Sequence, residues 1–278
     1  MGAPAYLKVA PGPGAEPPPV PPRPAVLSGG ADLTVRLFGP VEVYRDAERK
    51  IPESAWKIRR AIQMFCYLAF SRNHRASKDR LVDALWGNAR PSVIEKNFHP
   101  TISFLRRALN HGHKVSKSFL LFERGAYLLS PEYRYEIDVA VFEERVRSAR
   151  AKAARGDSEG ALSDYADALA LYTGPFLEEE YAEWTEAPRA HYEGLYLAAL
   201  SETANLHLRG GDPEQALPCL ERLIAQDPLE EEVSRRLLRA LGSLGQRAGI
   251  EREYRRLTAA LRDELATSPL PEKRPDPS

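Results

Sequence analysis

The C-terminal half of this 278-residue chain contains an internal period. Three pairs of positions recur 34 residues apart: Gly211 and Gly245, Ala216 and Ile250, Leu220 and Tyr254. Repeats of this length are typical of stacked helix pairs, because one pair alone cannot bury its apolar face. We therefore predict an all-α repeat architecture for this half.

A spacing of 34 residues is the tetratricopeptide period. Gly156, Ala161 and Tyr165 form an earlier copy, 55 residues before the second, so about 21 residues are inserted between the two copies. The insertion contains the segment TGPFLEEEYAEWTE. A generic helical bundle is the alternative interpretation.

The region before this half has a different pattern. Residues 33–52 alternate apolar and polar, which predicts strands with Leu33, Val35 and Leu37 on one face. Helical patterns follow at 53–77, at 78–87 and at 91–110, with Ser77 and Gly87 as the predicted cap and end of the second helix. The segment SFLLFERGAYLLS then predicts a hairpin.

Strands, three helices and a hairpin are the order of a winged helix-turn-helix with an N-terminal sheet. We predict a mainly α chain, in which a winged domain with a small β-sheet and a wing hairpin precedes a tetratricopeptide-like helical domain. The predicted segments are a Pro/Gly-rich disordered tail, the winged domain, the helical domain and a second tail, at 1–31, 32–130, 131–270 and 271–278.

The charge is divided between these two domains. Residues 33–130 hold 18 Lys and Arg against 8 Asp and Glu, whereas residues 131–278 hold 19 against 29. This division favours different partners for the two parts and makes the basic one a candidate for nucleic-acid binding. It also permits the hypothesis that the acidic part masks the basic part.

The helix pattern at 91–110 contains a proline, Pro100. Inside a helix a proline removes a backbone donor, at a cost of about 3 kcal/mol. We favour a helix that Asn97 caps, so that Pro100 falls in its first turn. The alternative is one continuous helix in which Ser92 and Glu95 form a capping box.

In either case, a helical wheel turns Phe98, Ile102, Leu105 and Leu109 towards the core. The candidate DNA contacts in this helix are Lys96, His99, Pro100, Thr101, Ser103, Arg106 and Arg107. Arg and Lys can bind guanine or phosphate, and the Pro100 ring can pack on a thymine methyl group.

Further candidates lie outside this helix. Arg124, at the hairpin tip, could enter a minor groove, while Lys78, Arg80 and Lys117 could reach phosphates. The alternatives are that Arg106 pairs with an acidic neighbour and that Lys78, Arg80 and His99 are ordinary solvated side chains.

Motifs of catalysis are absent from the sequence. It has no P-loop, no G-x-G-x-x-G, no H-E-x-x-H and no C-x-x-C, so we predict neither an enzyme nor a cofactor or metal. His111 and His113 are expected to be loop residues, and Cys66 and Cys219 to be buried free thiols. We expect no membrane association and a cytoplasmic protein that joins the nucleoid when bound to DNA.

Several motifs, in their order along the chain, resemble a known family. An OmpR-type winged helix of the Streptomyces antibiotic regulatory protein family is similar to LTVRLFGPVEV, LVDALWG, NFHPTISFLRRAL and ERGAYLL. The bacterial transcriptional activation domain of that family is similar to IDVAVFEERVRSAR, ALALYTGPFLEE and the segment from Gly211 to Leu265. The resemblance covers residues 33–270.

The resemblance implies a DNA-binding transcriptional regulator, typically an activator, that binds repeats in double-stranded promoter DNA and contacts RNA polymerase or a second copy of itself. The family often has Arg at the position of Phe104 and an aliphatic residue at that of Pro100, so the familiar target sequence is not expected. The competing hypothesis is a tetratricopeptide-type adaptor whose winged domain binds protein, with Pro100 and Phe104 as an apolar contact.

Overall fold

The computed structural model describes residues 30–46, 48–111 and 117–265. The strands β1 to β7 are Leu33–Arg36, Glu42–Arg45, Arg49–Lys50, Arg75–Ser77, Leu120–Glu123, Ala126–Leu129 and Tyr135–Ile137. The helices α1 to α10 are Glu53–Trp56, Arg59–Phe70, Lys78–Trp86, Pro91–Leu109, Asp138–Ala154, Ser158–Leu171, Glu186–Gly210, Pro213–Gln226, Glu231–Ser243 and Arg247–Leu265. The second tail and nearly all of the first lie outside the described residues.

The first sheet has the strand order β3-β2-β1-β7. β1 pairs antiparallel with β2 and parallel with β7. Leu33, Val35 and Leu37 are buried, as the alternating pattern predicted. The sheet is completed by β7, which follows the end of the predicted winged domain at residue 130, so the two predicted domains share a sheet.

The winged helix-turn-helix is formed by α2, α3 and α4 together with a second sheet of order β4-β6-β5. The Ser77 side chain accepts a hydrogen bond from the Arg80 amide at 3.3 Å, which confirms the predicted cap of α3. The helix predicted over 53–77 is instead divided into α1 and α2 and ends at Phe70, and a turn and β4 follow it. Lys57, with φ of 61°, interrupts it in the left-handed region, which a helix cannot contain.

The third helix of this motif, α4, is continuous from Pro91, and Arg90 precedes it without a side-chain cap bond. The favoured prediction of a start at Phe98 was therefore wrong, and so was the Ser92 capping box. Proline at the first helical position has no amide to leave unpaired and its φ already suits a helix, so Pro91 can begin the helix without a side-chain cap. Pro100 lies in the helix interior with its side chain exposed.

Side chains bond to the backbone on both sides of Pro100. The Asn97 amide donates to the Val93 carbonyl at 2.7 Å, and the Thr101 hydroxyl donates to the Asn97 carbonyl at 2.8 Å. The proline removes the amide that would bond the Lys96 carbonyl. The helix therefore contains one missing main-chain bond at its solvent-facing centre.

The helices of the C-terminal part pack in sequence, each against its neighbour from α5 to α10. Gly156, Gly211 and Gly245 have φ of 83°, 83° and 68° and follow α5, α7 and α9, so the recurring glycines are left-handed helix ends. At the third recurring position, Tyr165 and Leu220 are buried, whereas Tyr254 is 66% exposed. In the described part of the chain no helix follows α10, so Tyr254 lacks the covering layer that the other two positions have.

The winged and helical parts meet in a common apolar core. Val35 and Phe65 of the former belong to the same cluster as Phe142 and Phe176 of the latter. Phe38 also forms a β-bridge with Phe176 and an edge-on ring contact with Phe142, with centroids 5.2 Å apart. The inserted TGPF segment, residues 173–176, is thus the part of the helical domain that docks on the end of β1.

The same junction contains a buried carboxylate, Asp138, at the start of α5. It accepts hydrogen bonds from the amides of Leu37 (2.8 and 2.9 Å), Phe38 (3.0 Å) and Val139 (2.8 Å). Burial raises the pKa of Asp138 to about 6, although the three amide donors oppose this. The carboxylate joins α5 to the end of β1 and so fixes the helical domain against the first sheet.

Candidate nucleic-acid interface

The outer face of α4 presents a group of exposed polar and charged side chains. The exposed residues from the predicted set are Lys96, His99, Pro100, Ser103, Arg106 and Arg107, and Ser92, Glu95 and Asn97 of the same helix are exposed too. The opposite face holds Phe98, Ile102, Leu105 and Leu109, which are buried as the helical wheel predicted. One helix therefore separates core contacts from solvent-facing groups over its full length.

Thr101 was wrongly included among the candidate contacts. Its exposed fraction is 0%, and its hydroxyl donates to the Asn97 carbonyl within the helix. A threonine can satisfy its hydroxyl on the preceding turn while its methyl group packs inward. Residue type alone indicates a polar side chain at this position and does not reveal this local bond.

An aromatic cluster around Phe98 holds α4 in place. The Phe98 ring lies 5.7 Å from the Trp86 ring and 5.6 Å from the Tyr127 ring, which links α3, α4 and β6. The Lys78 ammonium lies 5.3 Å from the centre of the Phe98 ring, at a distance where a cation–π contact is favourable. Burial raises the pKa of Tyr127, and the nearby Arg106 guanidinium opposes that rise.

The hairpin of β5 and β6 forms the wing, with Arg124 and Gly125 at its tip. Both have positive φ, 49° and 74°, as a two-residue type I′ turn requires. The Arg75 guanidinium donates to the carbonyls of Glu123 at 3.2 Å and Arg124 at 3.4 Å. An arginine in the left-handed region is uncommon, and these bonds help to hold it there with its side chain exposed.

The other predicted phosphate contacts differ in their surroundings. Lys78 and Arg80 are exposed in the first turn of α3. Lys117 is exposed too, but its ammonium pairs with Glu132 at 2.5 Å, and this hydrogen bond raises the pKa of Lys117. An anion would therefore have to compete with Glu132 for Lys117.

Within the described residues, no carboxylate pairs with the cations of the outer face, Lys96, Arg106 and Arg107. Among these residues Arg106 has no acidic partner, contrary to the alternative interpretation. The acidic part reaches the basic part elsewhere, through Glu180 near Arg59 at 3.9 Å and through Glu132. The described helical domain leaves the outer face of α4 uncovered, so it does not mask that face.

The exposed apolar side chains of α4 are Pro91, Val93 and Pro100. Phe104 is half-buried and packs against the core cluster, so it does not form the outward apolar pair with Pro100 that the adaptor hypothesis requires. A larger exposed aromatic group, Phe122, lies on the wing, 55% exposed, with its ring 4.7 Å from that of Tyr127. Sequence reasoning did not single out Phe122, because an apolar residue in a strand is ordinarily turned inward.

Two arginines were also missed. Arg75 lies in β4, and Arg72 lies in the turn before it. A strand of three residues is too short for an alternation of apolar and polar residues to reveal it. The only available signal was the density of arginine between α2 and α3. Both side chains are exposed.

The described ranges contain neither a cluster of metal ligands nor a disulfide. No group of three His, Cys, Asp or Glu side chains there could hold a metal ion. His111 is exposed, and His113 lies outside those ranges. Cys66 and Cys219 are buried free thiols, as predicted, and burial raises the pKa of both. None of the described helices combines the length and apolar character needed to cross a bilayer.

Comparison with known proteins places the chain among regulators of transcription. The bacterial transcriptional activator domain matches residues 137–274. Transcriptional regulatory protein MoaR1 of Mycobacterium tuberculosis is 28% identical over 254 residues, which cover 89% of this chain and 78% of MoaR1. Regulatory protein AfsR of Streptomyces coelicolor is 27% identical over 248 residues, which cover 89% of this chain but 24% of AfsR.

A solved structure supports the fold. Mycobacterium tuberculosis EmbR, in complex with a low-affinity phosphopeptide, has a TM-score of 0.68 and 23% identity to this chain. The match covers 87% of this chain and 62% of the EmbR chain. The same arrangement of winged helix and helical repeat therefore occurs in a protein of low sequence identity.

Proposed function

We propose that this chain, which is a transcriptional regulator of the Streptomyces antibiotic regulatory protein type, binds promoter DNA with α4 in the major groove and the wing on the flanking backbone. The regulator type follows from the activator domain and the similar proteins, which are named as regulators of transcription. Binding to promoter repeats, activation and contact with RNA polymerase are parts of the proposal.

The observation that carries the proposal is the outer face of α4. It presents Lys96, Arg106 and Arg107 to solvent without carboxylate partners in the described part of the chain, beside His99 and Ser103. Free cations on one face of a helix can neutralise phosphates and release counterions, which is the main source of affinity for DNA. A guanidinium that also reaches a guanine edge adds about 1–3 kcal/mol of discrimination.

The wing supports the same orientation. Recognition helices fit the major groove, which is about 12 Å wide, and the wing of such a motif then lies beside the neighbouring backbone. Arg124 is the exposed cation at the wing tip, in a turn whose backbone Arg75 holds. We assign Arg124 to the minor groove, where a narrow groove attracts arginine, and Lys78 and Arg80 to phosphates.

Pro100 has a place in this arrangement. Its ring is exposed at the centre of the outer face, where it can pack against a thymine methyl group. The proline thus alters which bases are read, and leaves the neighbouring cations free to bind the backbone. We propose that promoter selection differs from that of relatives with an aliphatic residue here.

The helical domain is the proposed binding surface for protein partners. We propose that its exposed side contacts RNA polymerase or a second copy of the chain, so that two copies occupy two promoter repeats. A regulator of this type acts in the cytoplasm, on the nucleoid. Tyr254, which is exposed on α10, marks an uncovered side of the repeat.

The test uses the full chain and sheared genomic DNA. Fragments retained by the protein are sequenced, and the affinity of an enriched fragment is measured between about 50 and 200 mM salt. The proposal expects enrichment upstream of genes and a steep fall of affinity with salt, because each phosphate contact contributes a slope of about 0.9. Binding of a protein partner through α4, without salt-dependent binding to DNA, would instead support the adaptor hypothesis.

A further inference from the structure

A cavity of about 330 Å³ lies where the winged helix meets the helical domain, away from the outer face of α4. Its wall is made of three arginines, three aromatic residues and one serine: Arg72, Arg75, Arg80, Tyr67, Phe70, Trp184 and Ser71. Trp184 belongs to the helical domain and contacts Tyr67 edge-on, with ring centroids 5.1 Å apart. Both parts of the molecule therefore contribute to this cavity.

The charge of the cavity is positive and uncompensated. Its lining includes three guanidinium groups and no carboxylate. Arg72 and Arg80 are exposed, and neither side chain has a hydrogen bond or ion pair within the described residues. Guanidinium groups bind phosphate oxygens in a fixed, planar geometry, so a concave group of three attracts an oxyanion.

The backbone beside the cavity is strained. Asn73 and His74 both have positive φ, 54° and 51°. Residues with such backbone angles often occur at ligand-binding sites. The Nδ1 atom of His74 lies 2.8 Å from the Ala69 carbonyl, which fixes this turn between Arg72 and Arg75.

The position of the cavity indicates the source of the oxyanion. Arg75 donates to the carbonyls of Glu123 and Arg124, so the arginine group borders the wing tip. Arg80 lies in the first turn of α3 and lines the cavity together with Arg75. The basic surface is therefore continuous from the wing into the cavity, and DNA that contacts the wing also passes the arginines.

We propose that Arg72, Arg75 and Arg80 form a phosphate site that binds the DNA backbone beyond the wing, with Trp184 as its far wall. This inference rests on the proposed function and extends it. The helical domain thereby becomes part of the DNA-binding surface, because it closes the cavity that holds the phosphodiester.

The test measures binding of the full chain to random-sequence duplexes of about 40 base pairs, since phosphate contacts do not depend on sequence. Arg72→Ala should weaken binding roughly threefold to tenfold and lower the salt slope by about 0.9, and Arg72→Glu should weaken it further. Arg239→Ala is the matched control: Arg239 is exposed on α9 and makes no described ion pair. It should leave both quantities unchanged.

The outcomes separate the two proposals. If the full chain shows no salt-dependent binding to DNA, both the proposed function and this site are overturned. If the wild-type chain binds and Arg72→Ala and Arg72→Glu bind equally well, only this site is overturned. Calorimetric binding of inorganic phosphate that is lost in Arg72→Ala, while DNA affinity is kept, would assign the cavity to a free anion and also overturn it.

Discussion

The ionic side chains at the junction between the two domains are bonded within the molecule, whereas those on the outer face of α4 are not. At the junction, Asp138 is 2% exposed and accepts bonds from three amides, and Arg189 donates to the carbonyls of Phe176, Leu177 and Glu180. On α4, Arg106 and Arg107 are exposed and have no carboxylate partner in the described chain. The same kinds of side chain are fully bonded in one region and left free in the other.

The difference follows from what each region has to bind. A buried charge without partners costs several kcal/mol, so the junction is stable only when its ionic groups are bonded internally. An exposed cation has no such cost and keeps its capacity for an external anion. The junction therefore fixes the orientation of the winged helix, and α4 remains available for a partner.

The largest expected effect is at the junction. Asp138→Ala removes the acceptor for the buried amides of Leu37 and Phe38 and should lower the free energy of unfolding by about 3–5 kcal/mol. Asp157→Ala, which removes the exposed cap of α6, should cost only about 1 kcal/mol. Urea unfolding of both variants measures the contrast, and equal losses would mean that the junction bonds contribute no more than an ordinary cap.

The same carboxylate gives the junction a pH dependence. Its pKa is about 6 in the folded chain and about 4 when unfolded, so folding favours the protonated form. This contribution to stability is complete below about pH 4 and is lost as the pH rises through 6. The free energy of unfolding of the wild-type chain, relative to Asp138→Asn, should fall across that window, and a constant difference from pH 4 to 7 would contradict the burial effect.

The backbones of Gly174 and Gly39 approach each other closely at the junction. A Cβ atom on Gly174 would lie 3.0 Å from the Gly39 Cα, so Gly174→Ala should force the docked segment away from β1 and cost about 1–3 kcal/mol. Gly194, inside α7, has open space around it, and Gly194→Ala should instead stabilise the chain by about 0.5–1 kcal/mol. Thermal unfolding distinguishes these opposite signs, and stabilisation by both variants would show that the junction is loosely packed.

On α4 we expect one substitution to raise the free energy of unfolding and at the same time to change DNA selection. Pro100→Ala restores the amide that can bond the Lys96 carbonyl and should raise the free energy of unfolding by about 1–2 kcal/mol. If Pro100 contacts bases, the same change should alter the set of retained genomic fragments. Increased stability with an identical set of fragments would limit the role of Pro100 to the helix.

The sequence predicts α4 and the helical repeat better than it predicts the junction. Periodicity predicted the buried side of α4 and the recurring positions of the helical repeat, because both depend on local spacing. It missed β4 and β7, which have three residues each and exist only through pairing with β6 and β1. Asp138 could not be recognised as a junction residue, because the amides that it bonds lie about 100 residues away.

Within the candidate site the limits are similar. The exposed charges of α4 followed from a helical wheel, whereas the internal bond of Thr101 depends on a rotamer that residue type does not fix. The start of α4 was wrong because Pro91 can begin a helix without a capping side chain. Arg72 and Arg75 acquire significance only through the turn and the wing beside them.

On the proposed function, the outer face of α4 reads promoter DNA, and the bonded groups around Asp138 hold that face in its orientation. The most direct measurement is the salt dependence of DNA affinity for the full chain, comparing Arg107→Ala with the remote Arg239→Ala on an enriched genomic fragment. We expect Arg107→Ala to bind roughly tenfold more weakly with an unchanged free energy of unfolding, and Arg239→Ala to match the wild type. Equal affinities for the two variants across all salt concentrations would contradict the assignment of DNA binding to α4.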